Sequence, residues 1–412
     1  MKYIDRLLQG APVEWLPLGE VVEYEQPTKY LVKSTNYKDS FSTPVLTAGK
    51  SFILGYTDEI DGIYKASESP VIIFDDFTTA NKWVDFDFKA KSSAMKMITS
   101  KDPSKFSLRY IYHWLNTLPS GLVESDHKRQ WISNYSKKKI PIPPVAVQEE
   151  VVRVLDKFTA LEAALEAALD CRKRQYGYYR DALLTFDLSP SDGLCHSPLF
   201  PAPFAVEWCP LGEVAEYIRG VTYNKSAETL DSNGWLVLRA NNIQNSTRTL
   251  LLEDVKRVDK SVSIRTNQHL YKGDILICAA SGSREHVGKT AYISDDLEYV
   301  FGGFMGVIRV KDLRCLSRYL FHFLGSPSFT TFLDRELKSS TINNLSSAIV
   351  QKLEIPIPPL SVQERIVEIL DKFDTLVNSI SEGLPREIEL RRKQYEYYRD
   401  ALLSFEPLTS NL

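Results

Sequence analysis

Three segments of this 412-residue chain occur twice, in the same order. EWLPLGEVVEY at 14–24 returns as EWCPLGEVAEY at 207–217, with nine of eleven positions identical. IPIPPVAVQEEVVRVLDKF at 140–158 returns at 355–373, with thirteen of nineteen identical. RKRQYGYYRDALLTF at 172–186 returns at 391–405, with eleven of fifteen identical. A chain that repeats itself in this way folds as two related units, not as one large core. Between the blocks, residues 25–139 and 218–354 share little beyond length and composition. A fragment of a third copy opens the chain. Tyr3-Ile4-Asp5-Arg6-Leu7-Leu8 echoes Tyr179–Leu184 and Tyr398–Leu403. The repeat is thus circular, and its ends are expected to meet in space.

The repeated segments after the prolines read as helices. Ile-Pro-Ile-Pro-Pro cannot lie inside a helix, because proline removes a donor and fixes φ; it reads as an extended lead-in. Apolar residues then fall at Val147, Val151, Val154, Phe158, Leu161, Leu165 and Ala168. In the second copy they fall at Val362, Ile366, Ile369, Phe373, Leu376 and Ile380. Alternating four- and three-residue spacing is the seam of a coiled coil, although ordinary bundle helices share it. A helix from Gln148 to about Phe186 would run roughly 60 Å. The copies differ in length: Lys157 to Arg172 spans 15 positions and Lys372 to Arg391 spans 19. The second contains Gly383-Leu384-Pro385, so a helix break is expected there only. Deleting one turn, Ala164–Ala167, should shorten the first helix with little change of face.

Charge narrows the functional classes. The net charge of −3 does not mark a nucleic-acid binder. Residues 1–140 carry 19 basic against 17 acidic side chains, and residues 189–355 carry 18 of each. Residues 141–188 have 6 against 8 and residues 356–412 have 7 against 10. DNA affinity must then come from local patches or from partner subunits. No run of about 18 apolar residues exists, so no membrane span is expected. The N-terminus lacks a signal peptide's apolar core. Five scattered cysteines fit a reducing compartment and no zinc site.

Taken together, the Pro-Ile-Pro-Pro…Gln-Glu…Leu-Asp-Lys-Phe block, the Arg-x-x-Gln-Tyr-x-Tyr-Tyr-Arg-Asp block and the circular repeat resemble the specificity subunits of Type I restriction-modification enzymes. The stretches 43–95 and 271–310 are similar to two kinds of target-recognition domain in that family. The resemblance covers nearly the whole chain. It implies an α+β architecture: two mixed α/β target-recognition domains joined by two long antiparallel coiled-coil-like helices in a pseudo-two-fold circular repeat. The expected domains are recognition domain 1 (1–140), spacer 1 (141–188), recognition domain 2 (189–355) and spacer 2 (356–412). It also implies a non-catalytic, cytoplasmic prokaryotic subunit that reads a split, asymmetric DNA target. Its partners would be double-stranded DNA, two methyltransferase subunits and restriction/translocase subunits. S-adenosylmethionine, ATP and Mg²⁺ would belong to those subunits, with no cofactor or metal in this chain.

Several motifs are candidate DNA contacts. Thr78, Thr79, Asn81 and Lys82 lie in a polar run before Trp83; the same run also suits a capped turn over a core Trp. Lys128, Arg129 and Gln130 sit in the densest basic stretch, suited to phosphates and base edges, or equally to a solvated face. Arg239, Asn241 and Asn242 follow a strand-like segment; Asn also favours turns for local reasons. Ser283, Arg284, His286 and Lys289 lie in Gly282–Thr290. That stretch mimics a phosphate loop, but it has five residues between glycines instead of four and a β context. Asp75, Asp76, Asp87 and Lys89 loosely mimic a metal-dependent nuclease, but Trp83–Lys89 alternates as a half-exposed strand. No methyltransferase motif is present. Phe158, Tyr176, Tyr179, Phe373, Tyr395 and Tyr398 are expected to serve helix packing or subunit docking. The rival readings are a self-contained endonuclease or methyltransferase, and a coiled-coil adaptor that never touches DNA.

Overall fold

The structure is a computed structural model, and it describes residues 3–47, 52–119, 129–245, 247–338, 344–379 and 382–405. The chain divides into two compact units, Met1–Ala164 with Ile388–Leu412, and Leu165–Glu387.

In the first unit the two repeated blocks are each other's strand partners. Glu14–Pro17 pairs antiparallel with Lys139–Ile142, with Trp15 opposite Pro141. Prolines are tolerated because the ribbon has only two strands, so each keeps an edge that needs no donor. The extended lead-in is therefore a strand. The second unit repeats the device, pairing Glu207–Pro210 with Glu354–Ile357, and Trp208 faces Pro356.

The segments between the blocks, dissimilar in sequence, fold to a common sheet. In the first unit its order is Val22–Glu25, Met95–Ser100, Val71–Asp75, Asn81–Val84, antiparallel throughout. In the second it is Ala215–Arg219, Met305–Val310, Ile275–Cys278, Thr290–Tyr292, also antiparallel throughout. The central strand of each reads as an unbroken apolar run because both faces are covered. Ile72 and Phe74 face one core while Val71 and Ile73 face another. Ile275 and Ile277 are likewise separated from Leu276 and Cys278. Period-two side chains make this division automatic.

Each unit adds a second sheet of its own. The first has three strands, Ile53–Thr57, Thr43–Leu46 and Lys89–Ala90. The second has four, Lys256–Val258, Trp235–Leu238, Leu297–Phe301 and His269–Leu270. A helix then follows the common sheet, Leu108–Leu115 in one unit and Ser317–Phe323 in the other.

The first spacer is one α-helix, Val145–Leu184. The second is two, Leu360–Asn378 and Gly383–Leu403. The break at Gly383 has a steric cause. Its φ is +76°, and a Cβ there would lie 2.6 Å and 2.7 Å from the Thr375 and Leu376 carbonyl oxygens. Only glycine lets the new helix start against those carbonyls.

The heptad seam holds only in part. Val147, Val151 and Leu155 are buried in the first spacer, whereas Leu161 is 42% exposed and Ala168 is exposed. Leu155, absent from the predicted seam, is fully buried. In the second spacer Ile366, Leu370 and Val377 are buried; Ile380 lies outside the described residues. The first turns bury a stripe at four-residue spacing against the sheet and helix of their own unit. In the alanine-rich middle Leu161 and Ala168 stay exposed, so apolar spacing overstated the seam there. Within the first unit, Val145–Ala164 runs antiparallel to Ile388–Leu403. Phe158 stacks on Tyr398 at 5.1 Å, and Glu162 pairs with Arg392 at 2.7 Å.

The circle closes as expected. Ile4, on the helix Tyr3–Leu8, shares a core with Leu402, Leu403 and Phe405. In the second unit Leu183, Leu184 and Phe186 occupy the matching core with Leu211 and Val214.

Candidate nucleic-acid interface

The two clearest polar loops occupy the same place in the two sheets. Each leads into the outermost strand, Asn81–Val84 or Thr290–Tyr292. In the first unit Asp75 shapes the loop by accepting from Phe77 N and Thr78 N. Thr78 and Lys82 are exposed and Asn81 is half-buried. Thr79 is buried at φ +61°, a conformation unusual outside glycine; it forms the turn. Asp76 is buried too, where it pairs with Lys96 at 3.5 Å and accepts from Trp131 N at 2.8 Å.

The nuclease-like carboxylates do not converge. Asp87 holds Lys65 and Ser67, while Lys89 is buried against Glu59 at 3.0 Å. Among the described residues no group of three His, Cys, Asp or Glu could hold a metal. Arg129 is exposed. Gln130 opens a short helix, Gln130–Ser133, and its N–H donates to the Asp76 carbonyl at 2.8 Å. Lys128 lies outside the described residues.

In the second unit Gly282–Lys289 is a hairpin loop between antiparallel strands, with Ile277 opposite Thr290. No helix follows Gly288-Lys289, so a Walker-type cradle is not formed. Ser283, Arg284 and His286 are exposed, and Arg284 pairs with Asp334 at 2.6 Å. Arg284 and Lys289 line a cleft of about 950 Å³ with Lys173, Arg180 and Arg248.

Arg248 is held there by hydrogen bonds to Thr290 Oγ1 and the Phe321 carbonyl. Its guanidinium lies 3.9 Å from the Phe321 ring centroid, and burial pulls its pKa down to about 10. The third polar turn divides its roles. Asn242 is 1% exposed; it accepts from Arg239 N and donates to the Leu251 and Asp254 carbonyls. Its amide is committed to the fold. Arg239 and Asn241 reach outward and both hold Asp254.

The aromatic residues of the spacers pack chiefly against each other. Phe158 meets Tyr398, and Tyr176 and Tyr179 meet Phe373 at 6.3 Å and 5.4 Å. Tyr395 donates to or accepts from His113 Nδ1 at 3.0 Å. Their neighbours Tyr178 and Tyr397, at equivalent positions of the repeat, are each 70% exposed.

A fourth repeat escaped the sequence comparison. Arg109-Tyr110-x-x-His113 and Arg318-Tyr319-x-x-His322 occupy the helix after the common sheet in both units. Tyr110 donates to the Pro141 carbonyl and Tyr319 to the Pro356 carbonyl, both at 2.8 Å. His113 Nε2 lies 2.8 Å from Asp156, which also takes Arg109 at 2.8 Å. His322 lies 2.7 Å from Asp371, which takes Arg318 at 2.7 Å. Both imidazoles are fully buried.

Burial lowers both histidine pKa values despite the carboxylates, so they stay neutral. Burial pushes Asp156 and Asp371 up, but their histidine and arginine partners outweigh it and leave both carboxyls below their ordinary value. The two sites are not identical: Arg318 also pairs with Asp374 at 3.0 Å. His322 Nδ1 is buried without a hydrogen-bond partner, where His113 has Tyr395. The shared Arg-Tyr and His at fixed spacing were the available signal.

A second shared bracket sits at the helix start. Gln148 and Gln363 are fully buried. Gln148 accepts from Ser107 N and donates to the Lys105 and Pro143 carbonyls, all at 2.9 Å. Gln363 accepts from Leu316 N and donates to the Arg314 and Pro358 carbonyls at 2.7–2.9 Å.

Known proteins share this plan. A family profile described as Type I restriction modification DNA specificity domain matches residues 12–170 and 205–390. The chain is 48% identical to the Type I restriction enzyme EcoR124I/EcoR124II specificity subunit of Escherichia coli, over 98% of this chain and 97% of that one. It is 29% identical to a putative type I restriction enzyme specificity subunit of Haemophilus influenzae, over 98% of each. The fold matches the S subunit of a Type I restriction-modification system from M. genitalium at TM-score 0.60 and 12% identity, over 96% of this chain and 97% of that one. The chain belongs to the family of Type I restriction-modification DNA specificity subunits.

Proposed function

We propose that the chain is the non-catalytic reader of a Type I restriction-modification complex, with residues 1–140 and 189–355 each reading one half of a split, asymmetric DNA target. Residues 141–188 and 356–412 are the spacers that set the gap and dock partners. The observation that carries this reading is the duplication itself. Each unit sets a common sheet and helix on a spacer through the same polar contacts, and each presents a different loop at the same outer strand. Common footing with divergent loops suits two readers of two different sequences.

In the first half the exposed contact candidates are Thr78, Lys82 and Arg129, beside Asn81, Gln130 and Lys128. In the second they are Ser283, Arg284, His286 and Asn241, with the half-buried Arg239 and Lys289. The cleft bearing Lys173, Arg180, Arg248, Arg284 and Lys289 favours a phosphate backbone. Thr79 and Asn242, being buried, act by shaping their turns.

The partners are double-stranded DNA, two methyltransferase subunits and restriction/translocase subunits, which hold S-adenosylmethionine, ATP and Mg²⁺. Tyr178 and Tyr397, large, rigid and exposed at matching positions, suit a docking interface. The setting of such a complex is the cytoplasm; no described helix is long and apolar enough to cross a membrane. Methylome sequencing of a host carrying the complete system tests the reading. A methylated motif of two fixed parts separated by an indifferent gap is expected. Methylation or cleavage by the purified chain alone would overturn it.

A further inference from the structure

We infer that Asp156 and Asp371 are positioning residues for the two DNA-reading loops, and that the complex's discrimination of gap length depends on them; the inference rests on the split-target reading above. A continuous chain of contacts links each spacer carboxylate to a loop. Asp156 holds Arg109, whose guanidinium lies 4.6 Å from the centroid of Trp83. Trp83 is on the outer strand Asn81–Val84, next to Lys82 and the Thr78–Asn81 turn. Asp371 holds Arg318, which lies 4.8 Å from the centroid of Tyr292. Tyr292 is on the outer strand Thr290–Tyr292, three residues past Lys289. Two modules with little common sequence thus run the same relay to the same strand of the same sheet.

The placement along the spacer explains what the relay controls. Gln148 and Asp156 are eight residues apart, as are Gln363 and Asp371, so each pair spans about 12 Å of helix. A single fixed point lets a module swivel on its helix; two fix its direction. Without the carboxylate, the angle would rest on the glutamine and on apolar packing, which is non-directional. A tilt of about 10° acting over roughly 20 Å, the order of a domain of this size, moves a loop by about 3.5 Å. That is one base-pair step of a duplex that repeats every ~34 Å in ~10 pairs. Gap length is therefore the property most sensitive to this contact. Base identity, read at the loop's own side chains, is less so.

The experiment uses the full complex with its methyltransferase subunits and a DNA library that keeps both half-sites and varies the gap by one pair either way. Wild type should methylate one gap length. Asp371→Asn and Asp156→Asn should raise methylation of the neighbouring gap lengths at least tenfold relative to the preferred one, with both half-site sequences unchanged. Asp371→Glu, which keeps the charge, should recover most of the discrimination. A merely structural role would instead lower methylation of all gaps together. A folded, active Asn variant with wild-type gap ratios overturns the inference. If an Asn variant does not assemble, Arg318→Lys or Arg109→Lys decides. Lysine keeps the charge but loses the fork and the stacking, and unchanged gap ratios there overturn the inference equally. A wild-type complex with no two-part target would overturn the underlying reading instead.

Discussion

Replacing Gln148 or Gln363 should be among the most damaging single changes outside the apolar core. The side chain is fully buried and uses one acceptor and two donors on three backbone groups of two different elements. Gln148→Met keeps the volume but strands the Ser107 N–H and the Lys105 and Pro143 carbonyls. An unsatisfied buried polar group costs about 1–3 kcal/mol, so three of them should cost about 3–9 kcal/mol if water cannot enter.

Gln148→Glu separates the polar bracket from packing. One carboxyl oxygen can still accept from Ser107 N, but the other faces two carbonyls and must carry a proton to donate to either. The folded pKa of that glutamate is raised above its unfolded value of about 4.3. Below about pH 4.3 both states are protonated, and the variant lacks only one hydrogen bond. As pH rises towards the folded pKa, stability is lost at up to about 1.4 kcal/mol per pH unit. Urea unfolding at pH 4.5, 6 and 7.5, each against wild type, reads this directly. Gln148→Met should show a pH-independent deficit and Gln148→Glu a growing one. A Met deficit below about 1 kcal/mol, or parallel pH profiles for Glu and wild type, would refute the bracket's energetic role.

Acid should destabilise wild type before its carboxylates titrate. Burial lowers the folded pKa of His113 and His322 below the ordinary histidine value of about 6.5, so the unfolded chain binds protons first and stability falls as pH drops below about 6.5. His113→Gln and His322→Gln should flatten that part of a thermal-denaturation pH series, and an unaltered slope would exclude the histidines. Tyr178→Ala and Tyr397→Ala, which remove side chains that are 70% exposed, should leave the melting temperature within about 2 °C. They should weaken co-purification of methyltransferase subunits at least tenfold; unchanged stoichiometry would place docking elsewhere. Deleting Ala164–Ala167, three of whose residues are exposed, removes about 6 Å of helix. Methylation mapping should show a gap shorter by about one or two base pairs with both half-sites intact; an unchanged gap would end the ruler reading.

Where the sequence spoke clearly, a single local rule decided the outcome. Proline chemistry made 140–144 and 355–359 extended, glycine and proline together broke the second spacer at Gly383, and β context removed the phosphate loop at Gly288. It spoke poorly where a residue's direction mattered. Asn242 and Asn241 are adjacent polar residues of one turn, yet one is spent on backbone carbonyls and the other reaches outward. Thr78 and Thr79 divide in the same way. Composition cannot separate such pairs, because local side-chain-to-backbone bonding and solvent exposure favour the same residue types. The spacer seam held only in its first turns for a related reason: Leu161 has the correct spacing but stays 42% exposed.

The common sheet was illegible for a deeper reason. It is encoded in which positions are buried, not in which residues fill them, so Val71–Phe74 and Ile275–Cys278 perform one role with different side chains. What identity does survive between the halves lies where each module touches a spacer: Trp-x-Pro-Leu-Gly-Glu on the strand, Arg-Tyr-x-x-His on the helix, Gln and Asp on the spacer itself. A module's footing must match a surface common to both halves, whereas the loops at its outer strand are under no such constraint. The two halves are therefore free to diverge in the residues that read and are held together in those that orient. On that logic, the residues shared by the two modules locate the spacer contacts, and the loops where they differ are where the proposed DNA contacts should be sought.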